Sequence, residues 1–178
     1  GDRILAFGHP MFGEGDTHLP MSAGMIHFVL ANQQLSFKVG SATDVVGTLL
    51  QDRETGIAGV LDDGGPPYLP MTVRLRTRDN RQGQEFRYWL LRHRLLTGGL
   101  AMAVASVTLS SAEKSTGDYA IAATATVEFG GPEARPALIK ESVLSGRTAP
   151  SSAAASMLSP VNTILNNWYD DIEIESIR

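Results

Sequence analysis

The stretch Met71-Thr72-Val73-Arg74-Leu75-Arg76 alternates apolar and polar residues at every step, and beyond Asp79-Asn80-Arg81-Gln82-Gly83 comes a second β-prone run, Glu85 to Leu91. Successive side chains of a strand point to opposite faces, so such alternation describes a strand with one face on a core and the other in water. The Asp, Asn and Gly residues between the runs supply turn chemistry, and the whole reads as an antiparallel hairpin. The same signature recurs upstream. Val45 to Leu50 and Ile57 to Leu61 flank a turn at Asp52-Arg53-Glu54-Thr55-Gly56, and Gly24 to Ala31 pairs with Leu35 to Val39 around Asn32-Gln33. In that last hairpin Met25, His27 and Val29 share one face and Ile26, Phe28 and Leu30 the other. Both faces are largely apolar, which predicts a central strand and a core position for His27 with its ring hydrogen-bonded.

The chain opens with a short apolar strand, Arg3 to Phe7, running into Gly8-His9-Pro10 and a loop marked by Gly13, Gly15 and Asp16. Asp62-Asp63-Gly64-Gly65-Pro66-Pro67 closes the first group of hairpins. Downstream, Thr97 is placed to cap a helix that carries Leu100, Val104 and Val107 on one face and ends near Lys114, before Gly117. Tyr119 to Phe129 and Leu138 to Leu144 read as strands around Gly130-Gly131-Pro132. After the Ser/Ala-rich stretch 149–156, Ser159 with Pro160 predicts a helix start, with Val161, Leu165 and Trp168 as the buried stripe, before a last strand, Ile172 to Ile177. The expected fold is α+β and mainly β: antiparallel hairpins in a barrel-like or sandwich-like core with about two helices, forming a single domain over residues 1–178.

Composition narrows the chemistry. The 178 residues contain no cysteine, which excludes disulfide frameworks, thiolate metal sites and cysteine nucleophiles. The longest apolar stretches, such as Leu100 to Leu109, are too short to span a membrane as a helix, so no membrane insertion is expected of this segment. The net charge of −4 hides an asymmetry: residues 71–95 carry seven of the fifteen basic residues. Arg74, Arg76, Arg78, Arg81, Arg87, Arg92 and Arg94 could form one basic face, solvated or in contact with an acidic partner. Nucleic acid is not the expected partner, because Phe86, Tyr88 and Trp89 are alternating sheet residues and the chain as a whole is acidic. His93, among these arginines, is expected to be solvated. There is no P-loop, no G-x-G-x-x-G opening a helix and no G-x-S-x-G elbow, and Ser41 reads as the start of a turn.

His9 is the most suggestive single residue. A general base needs a fixed backbone and an accessible imidazole, and a strand-to-loop junction supplies both. Three readings stand at this point: a structural histidine bonded to the loop, a catalytic base, and a metal ligand grouped with His18, Asp16 and Glu14. Neither an H-E-x-x-H pattern nor thiolate support accompanies the last.

Leu5-Ala6-Phe7-Gly8-His9-Pro10, followed by Gly15-Asp16 and Leu19-Pro20-Met21, resembles the SpoIVB-type serine peptidase family. So do Ser36-Phe37-Lys38-Val39-Gly40-Ser41, Asp44-Val45-Val46-Gly47-Thr48, and Gln51-Asp52-Arg53 leading to Gly56-Ile57-Ala58-Gly59. The likeness is dense over residues 1 to about 61, looser beyond, and returns in Ser159-Pro160-Val161-Asn162 and Ile172-Glu173-Ile174-Glu175. It implies a distantly chymotrypsin-like module in which His9 is the catalytic base, with Asp16 a local candidate to orient it. The family's nucleophilic serine lies in a Gly-Met-Ser-Gly-Ser-Pro element that this sequence does not contain. The resemblance therefore implies the histidine-bearing part of a peptidase module, inactive alone, whose partners are the remainder of its parent protein or a protein or peptide substrate. It implies no cofactor and no metal, and an exported or cell-envelope setting. Both ends read as cuts in a longer polypeptide. The alternative from another class is a non-catalytic binding or scaffolding domain of an exported multidomain protein.

Overall fold

The structure is a computed structural model, and it describes residues 2–62, 65–78, 80–111, 118–131, 137–170 and 172–178. The expected turn residues Asp63, Gly64, Asp79 and Pro132, and the expected helix end at Lys114 to Gly117, lie outside the described residues. The chain divides into two compact units, Gly1–Pro67 and Tyr68–Arg178. Among the described residues it is mainly β with two helices, as the hairpin patterning predicts, and neither sheet closes into a barrel. Among the described residues no helix is long and apolar enough to cross a membrane.

The first unit is one antiparallel sheet of β1 (Arg3–Phe7), β2 (Gly15–Leu30), β3 (Phe37–Arg53) and β4 (Gly56–Leu61), in the spatial order β1-β4-β3-β2. The β3–β4 hairpin turns at Glu54-Thr55. β2 and β3 then run on past the other strands as a two-stranded ribbon, paired from Gly24↔Ala42 to Leu30↔Phe37. This corrects the expected central strand. β2 is an edge, and Met25, Ile26, Phe28, Val29, Leu30 and Phe37 are all exposed, because no other described element of this unit covers either face of the ribbon. His27 is accordingly exposed too, not a core residue. Leu19 and Leu49 are the unit's buried aliphatic side chains among the described residues.

The second unit holds the core. β5 (Tyr68–Leu75), β6 (Gln84–Leu91), β7 (Tyr119–Phe129), β8 (Leu138–Gly146) and β9 (Ile174–Ile177) form a mixed sheet in the order β6-β5-β9-β7-β8. α1 (Thr97–Ser111) and α2 (Ala149–Leu165) pack on each other, α1 against β5 and β6 and α2 against β7 and β8. Leu69, Met71, Leu90, Val127 and Ile177 from the sheet meet Met157, Leu158 and Val161 from α2. The period-two alternation is kept: Met71, Val73, Tyr88 and Leu90 turn to this core, whereas Arg74, Arg87 and Trp89 turn out.

Both helices differ from expectation in detail. α1 is apolar nearly all round, so spacing alone cannot select its buried face. Ala101, Ala105 and Thr108 are buried, while Val107 is 70% exposed and Leu100 is exposed as well. The small face admits α2 at close range. Thr97 is buried at the start of α1, and its hydroxyl takes the His93 N–H at 2.8 Å and turns back to the Leu91 and His93 carbonyls rather than capping the helix. α2 begins at Ala149, ten residues before the expected cap, because the Ala-rich stretch is itself strongly helix-forming. Pro160 lies inside the helix, and Trp168 lies beyond its end and is 89% exposed.

The close approach of the helices is tested at Gly98. A Cβ there would overlap the Asn162 carboxamide of α2. Gly98→Ala is expected to cost under about 1 kcal/mol, measured by urea denaturation, because the carboxamide is the end of a flexible, half-buried side chain that turns aside, and Asn162→Ala in the same molecule to recover that loss. Equal losses with and without Asn162 would contradict this packing.

Candidate active site

The order β1-β4-β3-β2 obliges the loop between β1 and β2 to pass from one edge of the first sheet to the other, across the ends of β4 and β3. Asp52, near the end of β3, stands in its path, opposite Gly15 of β2 and Ile57 of β4. The loop folds around its carboxylate. The Met11 N–H donates to Oδ1 at 2.9 Å, and the N–H groups of Phe12 and Gly13 donate to Oδ2 at 2.6 and 2.8 Å. Successive N–H groups converging in this way make a nest for an anion, and Gly13, at φ +70°, supplies the left-handed step that bends them inward. Asp52 is 1% exposed. The Phe12 and Met11 N–H groups hold its carboxyl below the usual range against the opposing effect of burial; Gly13 and the charge of nearby His9 act in the same direction.

His9 is therefore carried on a pinned loop. Its ring is exposed, and Nδ1 lies 2.9 Å from the Pro10 carbonyl oxygen. A carbonyl only accepts, so in the neutral ring Nδ1 carries the proton and Nε2 keeps its lone pair. That is the tautomer a general base requires.

Asp16 is also exposed. It accepts from Gln51 Nε2 at 2.8 Å and pairs with Arg53 at 3.7 Å, and no hydrogen bond joins it to His9 among the described residues. The acid that feels the charge of His9 is Asp52, which sequence reasoning placed in a turn and in the family likeness without a role in the site. Its partners lie 39 to 41 residues away in sequence, so no local spacing reveals them. Among the described residues no three His, Asp or Glu side chains group closely enough to hold a metal ion, so the set His9, His18, Asp16 and Glu14 is not assembled.

Ser41 lies within β3, not at a turn, and its Oγ is 2.8 Å from His27 Nε2 across the ribbon. A hydroxyl and an imidazole at this distance are a nucleophile and base in form, but no hydrogen bond to Nδ1 orients the imidazole among the described residues. The pair is an exposed cross-strand contact.

The basic stretch does not make one face. Arg74 and Arg87 both grip Glu85, at 2.8 and 2.7 Å, and Arg74 first, then Arg87, hold that carboxyl below its ordinary value. Arg92 turns elsewhere, donating to the Ile174 and Tyr68 carbonyls at 2.6 and 3.2 Å. His93 is half-buried rather than solvated, and its Nδ1 accepts from the Leu95 N–H at 3.3 Å.

No family model, curated protein or solved structure matches this chain.

Proposed function

We propose that this chain is the histidine-bearing part of a SpoIVB-like serine peptidase module and does not cleave peptides by itself. The observation that carries the reading is the exposed His9 ring, with its Nδ1 proton directed to the Pro10 carbonyl, on a loop anchored by the buried Asp52. A serine from a segment outside these residues would transfer its hydroxyl proton to His9 Nε2 as Oγ attacks the scissile carbonyl carbon. The resulting imidazolium would return the proton to the leaving amine. Asp52 acts as a positioning residue: its grip on residues 11–13 fixes the loop on which the ring is mounted.

The test is fluorophosphonate labelling of the full-length parent protein. His9→Ala is expected to lower the labelling rate by about 10³-fold or more, as loss of a catalytic base does in serine peptidases. The isolated chain is expected to remain unlabelled. An unchanged rate in the variant, or labelling of the isolated chain at Ser41, overturns the assignment.

A second reading, a binding or scaffolding domain, is favoured by one observation: the β2–β3 ribbon exposes apolar side chains on both faces. If that reading holds, Phe28→Ser with Phe37→Ser abolishes partner capture by the full-length protein while His9→Ala leaves it intact.

A further inference from the structure

The apolar side chains of the β2–β3 ribbon are not shared equally between its two faces, and the reason is a bulge. Ile26 pairs with Gly40 and Phe28 with Val39, so two steps of β2 answer one step of β3 and His27 is the extra residue. Paired residues share a face, and β3 alternates regularly through Phe37, Val39 and Ser41. Leu30, opposite Phe37, and Phe28, opposite Val39, therefore lie on the same face as Met25, opposite Ser41. Unbroken alternation would place Met25 on the other side. The bulge gathers Met25, Phe28, Leu30, Phe37 and Val39 into one face and leaves Ile26, Val29, Lys38 and Gly40 on the opposite one.

Each of the five gathered residues is between 38 and 57% exposed. At roughly 200 Å² per large side chain, about half of it in water, the face leaves on the order of 500 Å² of apolar surface, the size of the largest and often functional patches on soluble proteins.

The polar groups of this face already meet each other. His27 Nε2 and Ser41 Oγ lie 2.8 Å apart, and Lys38 stands on the far side, so neither a carboxylate nor a lysine nor an arginine belongs to the face. A second copy of the same face brings apolar surface to apolar surface with no like charges meeting, which is the self-complementarity a two-fold interface requires. Face to face, two such patches remove about 1,000 Å² from water, the threshold for a specific interface. Packing of this kind covers side chains and leaves the strand edges wet. Hydrocarbon would not: among the described residues Gly24 to Leu30 and Phe37 to Ala42 pair only with each other, and their outer N–H and C=O groups would lose water without gaining a partner.

We infer that the face formed by Met25, Phe28, Leu30, Phe37 and Val39 is a dimerisation surface on which a second copy of this chain packs, ribbon against ribbon about a two-fold axis. The inference goes beyond both readings of function, since it involves neither His9 nor a foreign partner.

The test is sedimentation velocity of the 178-residue chain and of its full-length parent from about 1 to 100 μM, the range in which an interface of this size assembles. Both are expected to pass from monomer to dimer within it, with or without His9→Ala. Phe28→Ser with Phe37→Ser is expected to raise the dissociation constant about a hundredfold or more, because the two-fold removes four rings from one interface. Ile26→Ser with Val29→Ser, on the opposite face, is expected to leave it unchanged. In the unaltered protein, peroxide oxidation of Met25 is expected to slow several-fold as the dimer forms, while Met11, exposed and outside the ribbon, reacts at a constant rate. A monomer throughout the range, equal weakening by both double variants, or constant Met25 oxidation across the transition overturns the surface. Three further results overturn the second copy as its occupant: a monomer with Met25 protected at every concentration, whose face is covered within one chain; a dimer of the chain but not of the parent, whose remainder covers it; and flotation with phosphatidylcholine vesicles that Phe28→Ser with Phe37→Ser abolishes.

Discussion

Asp52→Asn is expected to release residues 11–13 from β3 and to remove the acid-sensitive part of the first unit's stability. The carboxylate only accepts, and it faces three N–H donors. An asparagine keeps one accepting oxygen and turns an NH₂ toward donors, which leaves N–H groups unsatisfied at a buried position. The sign of the pH effect follows from the lowered value. A carboxyl with a folded pKa below its ordinary 3.8 stabilises the fold at every pH above that ordinary value, and the contribution drains away as pH falls through the lowered one. Melting curves from pH 7 to pH 2.5 should show wild type well above the variant at neutral pH and the two converging in acid. Glu85, also held low by Arg74 and Arg87, contributes acid sensitivity to both proteins and cancels in the difference. Parallel curves at all pH would exclude the anchoring role. In the full-length protein the same variant should slow fluorophosphonate labelling by about 10²-fold, the order of loss when a reacting group is displaced by about 1 Å.

Gly47→Val is expected to cost about 3 kcal/mol or more. Gly47 lies in β3 between Met21 of β2 and Leu61 of β4. A Cβ there would overlap the Val60 carbonyl oxygen and stand 2.9 Å from Met21 Cε and 3.0 Å from the Leu61 Cα. Two of these three atoms belong to the backbone of the adjacent strand, so the clash is not relieved by a rotamer change and the strands must part. The unit has few buried apolar side chains with which to absorb the loss. Amide exchange across β3 and β4 should therefore approach the rate of an unprotected chain. Gly24→Ala is the control: the nearest atom to its Cβ is the Ser41 carbonyl oxygen at 3.8 Å, an ordinary contact, and the cost should stay under about 1 kcal/mol. Similar losses at both positions would show that Gly47 matters for backbone freedom rather than for strand spacing.

Much of the secondary structure was legible along the chain because its causes are local. Period-two alternation at Met71 to Arg76 and the β-rich run Tyr119 to Phe129 each act within a few neighbours, and each became the expected strand. His9 was legible in the same way, as an imidazole at a strand-to-loop junction. Tertiary structure decided what local pattern leaves degenerate. A helix apolar on all sides has no preferred face until another helix arrives, which is why Ala101 and Ala105 are buried and Val107 is not. An apolar strand reads as central unless one knows that it is a sheet edge with exposed faces, as in the ribbon from Met25 to Phe37. The grip of Asp52 on residues 11–13 and the short insertion of β9 between β5 and β7 join segments far apart in sequence. Such contacts arise from chain crossing and strand order, which no window of neighbouring residues encodes.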